Sequence, residues 1–119
     1  MFSLGNLKHK NAPEGTNGGM KPAGLVKITE DGVKFRSHKD GSRHFFTPEY
    51  AMQIQEKLGA DIIMAFDECA PGQSTHRYAR AAMDRTHRWA ERCVVEHERL
   101  QKIRAERGQN PQTLFPIIQ

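Results

Sequence analysis

Apolar residues change their spacing several times along this chain, and each change marks a different element. Between residues 25 and 46 they form short β-prone runs: Leu25-Val26-Lys27-Ile28 precedes Thr29-Glu30-Asp31-Gly32, and Val33-Lys34-Phe35-Arg36 follows it. An Asp-Gly step between two such runs signals a β-hairpin, because glycine supplies the positive φ that tight turns need. A second Asp-Gly, Asp40-Gly41, separates residues 35–38 from Arg43-His44-Phe45-Phe46 and repeats the device. Residues 25–46 are therefore predicted to form a small antiparallel meander.

The period then becomes helical. Thr47-Pro48-Glu49 carries three start signals: a hydroxyl for the N-cap, a proline where the helix has no partner for an N–H, and an acid at the positive end of the dipole. Tyr50, Met52, Ile54 and Leu58 follow, and Gly59 is the expected C-cap. Residues 62–66, Ile-Ile-Met-Ala-Phe, are uninterruptedly apolar and predict a strand buried on both faces, as in parallel sheets covered by helices. After a loop over 67–75, Tyr78, Ala82, Trp89, Cys93, Leu100 and Ile103 recur at helical spacings and predict one long helix over 76–107, stopped by Gly108. Gln109-Asn110-Pro111 reads as a turn, and residues 114–118 as a second buried strand with Gln119 at its carboxyl end. Residues 8–24 are rich in Lys, Asn, Gly and Pro, have no apolar period, and read as a solvated loop.

The expected class is α/β. A strand buried on both faces needs neighbouring strands and covering helices, more than two helices and two core strands can supply. A complete (β/α)8 TIM barrel takes roughly 250 residues. The chain is thus expected to be a fragment of a larger sheet, with loop 8–24, meander 25–46, and an α-β-α-β segment over 47–119. Alone, it would leave strand edges unpaired.

Composition narrows the class without naming a function. The 119 residues are 27% charged and 37% hydrophobic, and no run approaches the roughly 18 apolar residues of a membrane span. No signal-peptide pattern opens the chain, so residence in the cytoplasm is the expectation. Cys69 and Cys93 are too few for a disulfide framework. A net charge of +4 admits an anionic partner, nucleic acid first among them.

Three constellations could carry chemistry. Asp67, Glu68 and Cys69 follow the first core strand, and Gln119 ends the second; ligands in open α/β sheets and barrels are held at such carboxyl ends. A carboxylate that accepts two hydrogen bonds, with a carboxamide that donates and accepts, can read the edge of guanine: N1–H and the amine to the acid, O6 to the amide. The plainer alternative is that the acids cap the loop and helix that follow. Cys69, His76, Cys93 and His97 form a second group, but Cys93 belongs to the core stripe and His97 reads as a helix-surface residue, so no metal site is expected within the chain. Third, Arg85, Arg88, Arg92 and Arg99 mark a basic helix face, to which Lys34, Arg36, Lys39 and Arg43 of the meander could add phosphate contacts; solubility would explain the same residues.

Taken in order, GVKFRSHKDGSRHFFTPE, IQEKLGADIIMAFDEC, THRWAERC and LFPIIQ resemble the tRNA-guanine transglycosylases, also called queuine tRNA-ribosyltransferases. The resemblance covers nearly the whole chain, with residues 11–22 looking like an insertion. It implies a single (β/α)8 TIM-barrel domain of which residues 1–119 are a fragment, with meander 25–46 inserted and 47–119 a barrel segment, and an enzyme that exchanges the wobble guanine of certain tRNA anticodons for a 7-deazaguanine, 7-aminomethyl-7-deazaguanine or queuine, through a covalent ribosyl-enzyme. By resemblance, Asp67 of FDEC holds the base, Cys69 lines its pocket and Gln119 is the pocket amide. It further implies tRNA and a guanine or deazaguanine base as partners, a homodimer in the full-length enzyme, and zinc bound by ligands outside this chain.

Where the chain departs from the family pattern, the resemblance implies what is missing. The DSGGFQV motif, with a second catalytic aspartate, is expected just before Phe2-Ser3-Leu4, and the nucleophilic aspartate, the glycine-rich base-binding turn and the zinc site downstream of Gln119. No catalytic residue is therefore assigned within the chain, and the isolated fragment is expected to be inactive. Gly72-Gln73 and Pro116 also stand where the family more often has Tyr-Pro and Gly. The alternative is a non-catalytic, basic RNA-binding module derived from the same barrel.

Overall fold

The computed structural model describes residues 26–118, so the 8–24 loop and Gln119 lie outside the described residues. The meander forms as its turns dictate: β1 (Val26–Ile28), β2 (Val33–Arg36) and β3 (Arg43–Phe46) make an antiparallel sheet in that order. The first turn closes through the Thr29 amide and hydroxyl, which donate to the Gly32 carbonyl at 2.9 and 3.0 Å. Only glycine fits at 32, where a Cβ would lie 2.1 Å from the Phe46 carbonyl oxygen. At the second turn Asp40 accepts from the Ser42 amide and hydroxyl, and Gly41 takes φ 71°.

Helix α1 (Pro48–Leu58) has the predicted caps: the Thr47 hydroxyl accepts from the Tyr50 amide, and Gly59 is left-handed at φ 75°. Strand β4 (Ile62–Met64), helix α2 (His76–Glu106) and strand β5 (Thr113–Phe115) then make a β-α-β unit, with β4 and β5 paired in parallel. The whole is a mixed α/β structure of two helices and two small sheets.

Both core strands are shorter than their apolar runs. β5 stops before Pro116, which has no N–H to donate to a ladder. Beyond Met64 the Ala65 amide still donates to the Phe115 carbonyl at 2.9 Å, and the Phe66 and Glu68 amides then turn to side chains of α2, as described below. The expected burial of β4 on both faces is not met within the described residues. Ile63 is 1% exposed and Ile62 60%, because α1 and α2 cover one face and no described element covers the other. On the edge of β4 away from β5, the Gln55 carboxamide accepts from the Met64 amide and donates to its carbonyl, both at 2.9 Å, as a neighbouring strand would.

The core holds Ala51 and Met52 of α1, Ile63, Ala65 and Phe66 from β4 onward, and Trp89, Cys93 and Leu100 of α2. Phe66 stacks on Trp89 with ring centroids 5.0 Å apart. On α2 the buried residues are Ala82, Thr86, Trp89, Cys93, Glu96, Leu100 and Arg104, a strict three-and-four spacing. The predicted stripe shares four of these; Tyr78 is exposed at 43% and Ile103 only half-buried. Thr86, Glu96 and Arg104 are buried instead because each has partners. Glu96 accepts from Gln53 and Arg99, and Arg104 donates to Glu56 and to the Asn110 carbonyl.

Candidate functional site

Residues 66–69 follow β4 and pass over the middle of α2, with Phe66 and Glu68 buried and Asp67 half-buried between them. α2 holds Phe66 and Glu68 by backbone and side chain alike. The Phe66 amide donates to the Cys93 sulfur at 3.3 Å, and the Glu68 amide to the Thr86 hydroxyl at 3.1 Å. Asp67 is thus the residue between two anchors.

Glu68 is an anchor and not a ligand-reading acid. Its side chain is 2% exposed and its carboxylate is saturated: Tyr78 donates its hydroxyl at 2.7 Å and Arg85 forms a close ion pair. Grouping Glu68 with Asp67 as a site acid is thereby corrected; the plainer alternative, an acid tied to the helix that follows, holds for Glu68. The phenol of Tyr78 is held above its ordinary pKa because it donates to a carboxylate and is partly buried.

Phe66, Asp67, Glu68 and Cys69 border a cavity of about 160 Å³ whose far wall is the meander: Val26, Ile28, Val33 and Phe35, with Arg36 at its edge. Asp67 is half-buried and Cys69 exposed. The cavity is mostly apolar, with a carboxylate entering from one side, a shape that suits a flat heterocycle with N–H groups along one edge. Cys69 also borders a second, more open cavity of about 460 Å³ over the start of α2, with Pro71, Ser74, His76 and Arg80. Gln119 lies outside the described residues, so its place beside Asp67 is an expectation only.

The second constellation separates. Cys93 is fully buried, with its thiol against the Pro48 carbonyl and its pKa pushed up to about 11 by burial, whereas Cys69 is on the surface loop. His97 is not a surface residue but half-buried, and loss of water lowers its pKa. Among the described residues no group of three or more His, Cys, Asp or Glu side chains could hold a metal ion.

The basic face of α2 is also changed by the structure. Arg88 pairs with Glu30 through two hydrogen bonds of 2.6 and 2.9 Å, Arg92 with Glu49 at 2.6 and 2.7 Å, and Arg99 with Glu96. Arg85 joins Glu68 to Glu30, whose carboxylate is 3.5 Å away. These arginines fasten the first turn of the meander, the start of α1 and the Asp67 loop to one helix, and the Trp89 indole adds a 2.7 Å bond to the Glu30 carbonyl. Their charge is neutralised within the chain, which removes the main support for RNA binding through that face.

The sequence model of the queuine tRNA-ribosyltransferase family matches residues 14–119. The chain is 61% identical over 93 residues to the queuine tRNA-ribosyltransferase of Herpetosiphon aurantiacus, covering 78% of this chain and 21% of that protein. It is 55% identical over 97 residues to that of Ruminiclostridium cellulolyticum (82% and 24%) and 58% over 95 residues to that of Desulforamulus reducens (80% and 23%). The chain therefore spans between a fifth and a quarter of the length of these relatives. It belongs to the queuine tRNA-ribosyltransferase family.

Proposed function

We propose that this chain supplies part of the base-reading wall of an enzyme that exchanges the wobble guanine of tRNA anticodons for a 7-deazaguanine. The observation that carries the reading is Asp67, fixed between two anchored residues at the carboxyl end of β4 and bordering the apolar cavity with Cys69. In this reading β4, α2 and β5 are consecutive parts of a (β/α)8 barrel into which the meander is inserted. The Asp67 carboxylate accepts from N1–H and the exocyclic amine of guanine, and Gln119 donates to O6. Cys69 closes the pocket wall. The meander supplies the apolar surface against which the ring lies.

The nucleophile that forms the ribosyl-enzyme belongs, by resemblance, to a segment outside this chain. The residues described do not fit zinc, since Cys93 is sealed in the core and no ligand group accompanies Cys69 among the described residues. A homodimeric full-length enzyme is part of the same proposal.

The test is a chimera in which residues 26–118 replace the matching region of the Herpetosiphon aurantiacus relative. With tRNA and radiolabelled guanine, the chimera should incorporate label and the 119-residue chain alone should not. A chimera that folds but incorporates nothing, or incorporation by the chain alone, would sink the reading.

A further inference from the structure

The arginines of α2 divide into two populations. From Arg85 to Arg104 each has a carboxylate partner, whereas His76, Arg77 and Arg80 have no ion pair among the described residues and are exposed. No acid stands in the first turn of α2, and the first one along the helix is Asp84. Cations there oppose the helix dipole, which favours acids at this end, so stability does not explain them. A second element carries the same kind of violation. Arg36 and Arg43 face each other across β2 and β3, both exposed and without an ion pair among the described residues, although like charges directly opposite are unfavourable.

These two uncompensated groups are not scattered. Arg36 edges the cavity that holds Asp67 and Cys69, and His76 and Arg80 line the cavity on the other side of Cys69. One residue, Cys69, is shared by both walls. An apolar slot with a carboxylate, flanked on each side by cations that the protein itself leaves unneutralised, matches a nucleotide within a strand: a neutral base in the slot and a phosphate to either side. Lys27 and Lys34 also stand opposite each other, across β1 and β2, without an ion pair among the described residues, but they line neither cavity; Arg36, His76 and Arg80 are the unpaired cations that do.

We propose that Arg36 on one side of the Asp67–Cys69 loop, and Arg80 with His76 on the other, hold the backbone phosphates flanking the exchanged nucleotide of an RNA strand. The inference rests on the guanine-exchange reading for its choice of RNA and places the contacts away from the paired arginine face. Arg36 and Arg80 act as point contacts to phosphate oxygens, so they set affinity and its salt dependence and leave recognition of the free base untouched.

The experiment measures binding of a fluorescein-labelled anticodon stem-loop RNA by anisotropy across a salt series, in the 119-residue chain and in the chimera. Arg36→Gln/Arg80→Gln should bind about tenfold more weakly, with the slope of log affinity against log salt smaller by about 1.4, or about 0.7 per lost contact on a single strand. The melting temperature should stay level or rise, since both substitutions relieve repulsion. Arg88→Gln, which breaks a satisfied pair, should leave RNA affinity as it was. An unchanged slope in the double variant, a lower melting temperature that tracks the loss of binding, or an equal loss in Arg88→Gln would overturn the proposal. Guanine exchange by the chimera with an unchanged slope would remove these contacts alone; the expected slope change without any exchange would remove the exchange reading and leave the contacts standing.

Discussion

The pair formed by Glu68 and Arg85 offers the sharpest quantitative test of how the loop is held. Replacing Arg85 with Met keeps the aliphatic stem and removes the charge, leaving a carboxylate that is 2% exposed with only the Tyr78 hydroxyl to satisfy it. Removing one member of a fully buried pair costs about 3–5 kcal/mol, because the remaining charge has been taken from water without compensation. Arg85 keeps 23% of its side chain in solvent, so water can reach part of the vacated space and the figure must be reduced. We expect a loss of about 2–4 kcal/mol in urea unfolding of the 119-residue chain. Adding Glu68→Gln removes the stranded charge while keeping an acceptor for Tyr78, so the double variant should be more stable than Arg85→Met alone. The reasoning is refuted by a loss below about 1 kcal/mol, the level of a surface pair, or by a double variant as unstable as the sum of the single ones.

Three further outcomes follow from the same geometry. Cys93, at 0% exposure and with its thiol pushed up to about 11, should resist a thiol reagent at neutral pH while Cys69 reacts, so native protein should titrate as one thiol and unfolded protein as two. Burial lowers the pKa of His97 in the folded chain, so the unfolded chain binds the proton more readily. Stability should therefore be complete above about pH 6.5 and fall as pH drops toward the lowered folded value, and His97→Gln should flatten that part of an unfolding-against-pH profile. In the chimera, Asp67→Asn exchanges an acceptor for a donor facing guanine N–H groups and should weaken base binding by about 1–3 kcal/mol, seen as a raised KM for guanine with tRNA affinity retained.

What could be read from the sequence was whatever is decided within a few residues. Thr47, Pro48 and Gly59 set the bounds of α1 because capping is a contact between a side chain and backbone one turn away, and both Asp-Gly turns fall where predicted for the same reason. Contacts across the chain were not legible. Arg88 and Glu30 are 58 positions apart, and nothing near either one shows that the positive face predicted for α2 is spent on the meander and on α1. Burial of the strands was misjudged similarly: an apolar run states that a residue can be buried, while Ile62 and Ile63 differ because helices lie on only one side. Thr86, Glu96 and Arg104 could have been added to the stripe by spacing alone, had polarity not ruled them out.

The same distinction explains why FDEC was half understood. Asp67 and Glu68 are chemically alike and adjacent, and composition offers no means of ranking them as ligand-reading acids. Their partners do. Phe66 is packed on Trp89, and Glu68 is tied to Tyr78, Arg85 and Thr86, with Asp67 between these two held residues. Both acids border the cavity, but the carboxylate of Glu68 is spent on fixing the loop. The division requires only an apolar residue before the pair and a helix long enough to receive both anchors. By that logic, moving the acid by two positions, Asp67→Ala with Cys69→Asp, would put the carboxylate past the Glu68 anchor. It should then fail to restore guanine binding in the chimera. Full restoration would mean that the loop is not held in the register that Phe66 and Glu68 impose, and the assignment of Asp67 would fall with it.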